Sequence, residues 1–378
     1  WRSWNSLFLN VRQEDILAQA QALVARPQGG GSSLKELGYI SVGVDDGWQA
    51  CGAGVNGSFH DNTGAPLLNR SRFPDLSDMV RKIHAMGLRV GWYFNNCWCK
   101  LPEVYTWLSQ GGNTAKDVEF LVDHGIDGVK VDGCGPSHNI SLWSHLIADA
   151  ATEIELENCA DNGAFAWATA YTPAEPPGWV PASPADVVSG GFNTYRISVD
   201  IAPQFFSAMH NLQLMVPFLT PALSRPGSWA YPDILQVANK NPVGVGEMTP
   251  TEWRTHFAAW CITSSPLILG FDLTNKQIYE AAYPIVSNRR ALDINQLWAG
   301  HPGRLVRSSR TTFEALAGKH ANDECENGNA SMCEHVVFPT WQLWSKPLPM
   351  PYLNWQAVLL INLNANRSQL SFSLADIG

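Results

Sequence analysis

The stretch Gly128-Val-Lys-Val-Asp-Gly-Cys-Gly135 (GVKVDGCG) reads as a short strand bounded by glycines, yet it carries a lysine and an aspartate. Lys130 and Asp132 stand two residues apart, and in a strand that spacing sends both side chains out of one face. These residue types are rarely buried without a partner or a task. A strand ending in such a pair marks a site at a strand terminus, so the next question is whether other strands end the same way.

Outward from this stretch, short apolar runs alternate with segments of helical period. Strand candidates fall at residues 1–5, 39–46, 88–95, 127–133, 153–158, 194–200, 229–234 and 266–272. Between them, FPDLSDMVRKIHAMG starts a helix after Pro74 and stops it at Gly87. NTAKDVEFLVDHG has an Asn/Thr cap and ends at Gly125, and TPTEWRTHFAAWCIT offers Thr249 or Thr251 as its cap. Strand and helix alternating about eight times in this way predict a (β/α)8 TIM barrel over residues 1–300. A doubly wound sheet would call for a GxGxxG after the first strand, and none follows it. From residue 301 the helical period gives way to short alternating runs, RLVRSSRTTFEALAG, CEHVVFPTWQLWS and WQAVLLINLNANRSQLSFSL. They predict a small antiparallel β-sandwich domain over 301–378, incomplete at Gly378. Residues 170–191, rich in Gly and Pro, read as a long insertion ahead of the sixth strand that shapes a substrate rim.

Polar residues at the carboxyl ends of barrel strands face the active site. VGVDDGW ends in Asp45 and Asp46, VKVDGCG in Asp132, YRISVDI in Asp200 with Arg196 four residues earlier, YPDIL in Asp233 and LGFDL in Asp272. Any one of these aspartates could cap a helix or open a turn; five strands ending in acids point to function. An acidic mouth serves a divalent metal, glycoside hydrolysis or sugar binding. The ten histidines, among them His84 and His256, fall on helices and loops, and Lys130 would repel a cation, so no metal and no cofactor is expected. A lysine beside Asp132 keeps that carboxylate ionised, as a nucleophile requires, and a second acid must hold a proton. That is the demand of glycoside hydrolysis.

Bulk properties narrow the partners. A formal charge of −9 argues against nucleic acid, and no apolar run approaches the roughly 18 residues that cross a bilayer. Most of the sixteen tryptophans are assigned to the core. The eight cysteines form no CxxC pair, and Cys325 and Cys333 bracket a polar turn that suits a local disulfide. Sequons at Asn56, Asn69, Asn139, Asn329 and Asn366 join the cysteines in favouring a secretory compartment, extracellular, vacuolar or lysosomal, with N-glycosylation. The start at Trp1 inside a motif reads as a processed or trimmed N-terminus. Monomer, homodimer and larger assembly all stay open.

The motifs WRSWN, DDGW, FPD…IHAMGLRVGWY, GVKVDGC, YRISVD, PDIL, MTPTEWRTHFAAWCITSSPLILGFDL and NRRALDINQ, in this order over residues 1 to about 297, resemble the retaining α-galactosidases of glycoside hydrolase family 27, a group that also holds α-N-acetylgalactosaminidases. The resemblance implies that Asp132 is the nucleophile and Asp200 the acid/base. It implies that Lys130, Asp45 and Asp46 bind the 3-, 4- and 6-hydroxyls of a terminal α-galactoside. Arg196 would reach the 2-position and tune Asp200, Trp4 would stack on the sugar's apolar face, and Tyr93 would line the pocket. Asp233 is taken as a further substrate-binding acid.

Three departures from the family pattern bear on this. Where the family has a Cys-Glu-Trp stretch that chooses between hydroxyl and acetamido at C2, this chain reads ELENCADNGAF, so Glu157, Asn158, Cys159 and Asn162 are all candidates for that position. Galactose and N-acetylgalactosamine therefore both stay open. Tyr231 stands where the family has an acid two residues before Asp233, which keeps alive a silent sugar-binding or structural role in an extracellular assembly. NNCWC is compact, and the resemblance implies a disulfide from Cys97 or Cys99 to Cys134, with Cys51 taking the other of the pair; Cys159 lacks the usual partner, and Cys261 is expected as a buried thiol on a helix.

Overall fold

A computed structural model describes residues 1–95, 99, 113–133, 139–159, 191–239, 248–318, 325, 333–349, 355–364 and 369–377. The chain divides into two compact units, with the division falling inside a strand after Tyr195.

The first unit, residues 1–159, 191–195 and 272–276 among those described, opens the parallel sheet. Arg2 forms a parallel bridge with Gly43. Strands β1 (Ser41–Gly43), β2 (Arg89–Phe94), β3 (Gly128–Asp132) and β4 (Glu155–Cys159) then pair in parallel in chain order. β5 (Thr194–Arg196) begins beside β4, where the Asn193 amide donates to Leu156 O at 2.8 Å. Local chemistry starts and stops the helices between them. Asp75 accepts from the Asp78 amide to open the helix Leu76–Ala85. Gly125, at φ 69°, ends the helix Thr114–His124 in the left-handed conformation that glycine adopts most cheaply. Trp48, Trp92, Phe59, Phe73, Phe94 and Phe120 pack ring against ring beneath β1 and β2, which bears out the core assignment for these tryptophans.

The second unit, residues 196–271 and 277–377 among those described, continues the parallel pattern. The Ile197 amide donates to Tyr231 O at 3.2 Å, β6 covers Trp229–Tyr231, and Leu235 forms a parallel bridge with Leu269. Thr249, not Thr251, caps the helix Pro250–Ile262, in a reciprocal box with Glu252. Five antiparallel strands follow: β7 (Arg304–Ser308), β8 (Thr312–Gly318), β9 (Cys333–Pro339), β10 (Trp341–Pro347) and β11 (Gln356–Asn362). β10 lies between β11 and β7, and β8 pairs with β9. The Ser207 hydroxyl on the helix Phe205–Met215 donates to Gly318 O at 2.9 Å, one of the contacts that pack this helix on β8.

The sheet differs from the strands read in the sequence at its ends. The first candidate pairs only through Arg2, because the chain turns into a helix at Trp4–Leu7, and Ser3 O accepts from Ser6 and Leu7. The seventh breaks after Tyr231 because Pro232 has no amide hydrogen to donate and Asp233 adopts φ 81°. The eighth is reduced to the bridge at Leu269. Of the expected disulfides, Cys51–Cys99 and Cys325–Cys333 are formed. Cys97, Cys134 and the insertion 170–190 lie outside the described residues. Cys159 and Cys261 are buried thiols outside any disulfide.

Candidate active site

β3 supplies the first cluster. Tyr93 on β2, Lys130 on β3 and Glu157 on β4 are register partners, and Asp132 pairs with Cys159 one step further along. A shared register and a period of two put Tyr93, Lys130, Glu157 and, two residues on, Asp132 on one face. There the Tyr93 hydroxyl donates to Asp132 Oδ2 at 2.5 Å and accepts from Asn95 Nδ2 at 3.2 Å. Lys130 Nζ lies 5.1 Å from the centre of the Tyr93 ring and donates to Asp45 Oδ2 at 3.0 Å. Lys130 is 8% exposed, so it has little water to hold its charge. Burial opposes the ammonium, but Asp45, with Cys159 and Asp132, outweighs it and holds the lysine above its ordinary range. The Tyr93 hydroxyl is pushed up by burial and then by the surrounding carboxylates, which keeps it a neutral donor.

Asp45 and Asp46 follow β1 in a tight turn. The Asp45 amide donates to Ser3 Oγ at 2.9 Å, and the amides of Asp46 and Gly47 donate to Asp45 Oδ1 and Asp46 Oδ1. Gly47 has φ 105°, and a Cβ there would meet Leu9 O at 2.7 Å, so the turn that aims both acids needs a glycine. Asp46 Oδ2 is buried with no hydrogen-bond partner among the described residues. Burial first and the charge of Asp45 second push the Asp46 carboxyl up to about 7. A buried carboxyl with an unsatisfied oxygen is the kind of group that gains a hydroxyl donor from a ligand.

The second unit carries the other acids. Arg196, 3% exposed, pairs through Nη1 with Asp200 Oδ1 and lies 3.4 Å from Asp233 Oδ2. Asp233 is held by backbone: Oδ2 accepts from the Ile201 amide at 2.9 Å and Oδ1 from the Ile234 amide at 2.7 Å, while its own carbonyl accepts from Trp260 Nε1 at 2.7 Å. Asn211 Nδ2 ties Val199 O and Pro232 O together at 2.9 and 3.2 Å. Tyr231 is fully buried.

The remaining sequence candidates are placed less simply. Trp4 is half-buried on the short helix, its ring edge against Phe8. Both oxygens of Glu157 accept from the Arg2 guanidinium. Asp272, at the end of the eighth strand position, accepts from Gln19 Nε2 at 2.7 Å and from the Thr274 amide and hydroxyl, so it anchors a turn. Asn158 is half-buried, with Oδ1 unpartnered among the described residues, and Asn162 lies outside them. The sequence reading missed Arg2, Ser3, Asn95 and Asn211; only the WRSWN motif carried a signal for the first two. Among the described residues no group of three or more His, Cys, Asp or Glu side chains is arranged to hold a metal ion.

A family model described as alpha galactosidase A, a melibiase model, matches residues 11–297, well over half of the chain. The chain belongs to this family. It is therefore a glycoside hydrolase of the α-galactosidase type. The α-galactosidase of Oryza sativa subsp. japonica is 26% identical over 328 residues, covering 85% of this chain and 68% of that protein. This chain spans about two thirds of the length of such curated relatives. Among solved structures, α-galactosidase I of Mortierella vinacea superposes with a TM-score of 0.69 at 23% identity, over 96% of this chain and 80% of that one. A family 27 β-L-arabinopyranosidase from Geobacillus stearothermophilus gives 0.71 at 17% identity, over 100% and 86%. At these identities the structures speak to the fold, which is the (β/α)8 barrel followed by an antiparallel β-domain.

Proposed function

We propose that this protein is a retaining, exo-acting α-galactosidase that removes terminal α-linked galactose without a cofactor. Asp132 attacks the anomeric carbon while Asp200 protonates the leaving oxygen; Asp200 then activates water to release the sugar from Asp132. The observation that carries this reading is the Lys130–Asp45 pair, buried at 3.0 Å beside Asp132 and Tyr93. A charged pair at a strand end, already desolvated, exchanges part of its mutual contact for sugar hydroxyls. It leaves those charges poorly matched when an epimer presents its hydroxyl elsewhere. Asp46 adds an acceptor to the same hydroxyls, Trp4 faces the apolar side of the ring, and Arg196 reaches the 2-position while orienting Asp200. Asp233 keeps Arg196 and Ile201 in place. Glu157 is held by Arg2 beside Lys130, and Cys159 bounds the pocket behind Asp132.

The two disulfides and the exposed sequon at Asn56 support a secretory-pathway protein, extracellular or lysosomal/vacuolar. The barrel, residues 1–300, carries the catalysis, and residues 301–378 form the appended β-domain.

Initial rates on an aryl α-galactoside from pH 3 to 8 test the reading. Asp132→Asn is expected to lose on the order of 10⁴-fold or more in kcat. Asp200→Asn is expected to keep slow turnover on substrates with good leaving groups, because these need no proton. Large and equal residual activity in both variants would remove the assignment. Running the aryl N-acetyl-α-galactosaminide beside it decides the C2 preference, with the galactoside expected to be faster.

A further inference from the structure

Arg2 stands in the opening motif, outside the residues assigned above to the sugar, and its side chain makes an unusual journey. Its backbone bridges Gly43 of β1. Its guanidinium reaches Glu157 on β4, with β1, β2 and β3 between them in the sheet. Three glycines in register, Gly43, Gly91 and Gly128, leave bare the level just below Asp45, Tyr93 and Lys130 on the same face. The arginine uses that clearance: a Cβ on Gly43 would stand 3.7 Å from Arg2 Nε and 3.9 Å from its Cγ. At the far end Nη1 donates to Glu157 Oε1 at 2.7 Å and Nη2 to Oε2, a bidentate fork between two largely buried side chains. Along the way Nε lies 3.9 Å from Asp45 Oδ2, the same oxygen that accepts from Lys130 at 3.0 Å. One carboxylate oxygen thus faces two cations, and Glu157 anchors one of them.

We propose that Arg2 is a positioning residue for sugar recognition, and that its ion pair with Glu157 fixes the Asp45–Lys130 pair in the geometry that receives the sugar hydroxyls. The four charges balance two against two. Removing Glu157 lets Arg2 move onto Asp45 and compete with Lys130. Removing Arg2 leaves the Glu157 carboxylate without its fork beside Lys130, its register partner on β3, and draws the lysine away from Asp45. Either change alters the pair without touching Asp132. The inference rests on the reading of Asp45 and Lys130 as sugar ligands.

The test is the kcat and KM of wild type, Arg2→Met, Arg2→Lys, Glu157→Gln and the double variant Arg2→Met/Glu157→Met on an aryl α-galactoside, with galactose binding measured by calorimetry. Lost uniform binding raises KM and spares kcat. The two single charge removals are expected to raise KM about tenfold with kcat within about threefold, and Arg2→Lys to recover part of the loss. The double variant removes both buried charges together, so it folds even where a single variant does not. Its KM stays raised, because nothing then holds Asp45 from the Arg2 side. A KM within about twofold of wild type in the folded single variants, or restored in the double variant, overturns the inference and leaves the galactosidase reading standing. A wild type that neither turns over the galactoside nor binds galactose overturns that reading, and the inference falls with it.

Discussion

The acids of β3 and its neighbours and the acids around Arg196 solve the same problem in opposite ways. In the first cluster, Asp45 and Lys130 come from different strands, with β2 lying between β1 and β3 in the sheet, and Arg2 stands 3.9 Å behind as a second cation. In the second, Arg196 and Asp200 come from a single strand end, four residues apart, and one guanidinium serves Asp200 and Asp233 together. Backbone amides of Ile201 and Ile234 hold Asp233 as well. The first arrangement spreads charge compensation over side chains; the second concentrates it in one arginine and leans on the chain's own N–H groups. Groups that share one partner fail together when that partner is removed.

This contrast can be broken by removing one cation from each cluster. Arg196→Met takes the shared cation from Asp200 and Asp233 and is expected to lower unfolding stability by about 3–5 kcal/mol, whereas Lys130→Met leaves Arg2 near Asp45 and is expected to cost about 2 kcal/mol. Denaturant melts of the two variants provide the ranking, and the reverse order would show that the charges are compensated differently from this account.

Asp46 sharpens the picture of the first cluster through pH. An aspartate in an unfolded chain titrates near 4, and burial, with Asp45 beside it, raises the folded value to about 7. Between those values the folded state holds a proton that the unfolded state has lost, so stability falls as pH rises through the window and levels above it. Asp46→Asn removes that slope. The variant is expected to match wild type in thermal midpoint near pH 4 and to exceed it by on the order of 5 °C at pH 8. A constant offset at all pH values would mean that Asp46 is ionised throughout.

The smallest effect is expected at the strand-end acid that belongs to neither cluster. Asp272→Ala breaks bonds to Gln19 and Thr274, so it is expected to cost about 1 kcal/mol of stability and to leave kcat/KM within about twofold. A large kinetic loss there would extend the site to the eighth strand position.

How far the sequence reached follows from what kind of contact each feature depends on. The alternation of strands and helices is local, and so are the helix start after Pro74, the stop at Gly125 and the choice between Thr249 and Thr251; these were readable. Lys130 and Asp132 were readable as neighbours because a period of two is local as well. Arg2 and Glu157 meet across 155 residues of sequence through a row of glycines whose alignment only strand register defines, and no local pattern encodes it. The roles of Asp233 and Asp272 were equally hidden. An aspartate ending a strand looks the same in sequence whether it faces a ligand or folds back on backbone amides and a neighbouring threonine. The strand ends at positions one, seven and eight were overestimated because a turn at Ser3, a proline at 232 and a lone bridge at Leu269 stop pairing inside apolar runs.

The proposed retaining chemistry requires Asp132 to form a covalent bond with the sugar. The most direct measurement is the mass of peptides after the wild-type protein reacts with an activated 2-deoxy-2-fluoro-α-galactoside, whose fluorine slows release of the intermediate. The account predicts one added sugar on the peptide carrying Asp132, and none in Asp132→Asn. A sugar attached to another residue, or no adduct in a protein that hydrolyses the aryl galactoside, would contradict it.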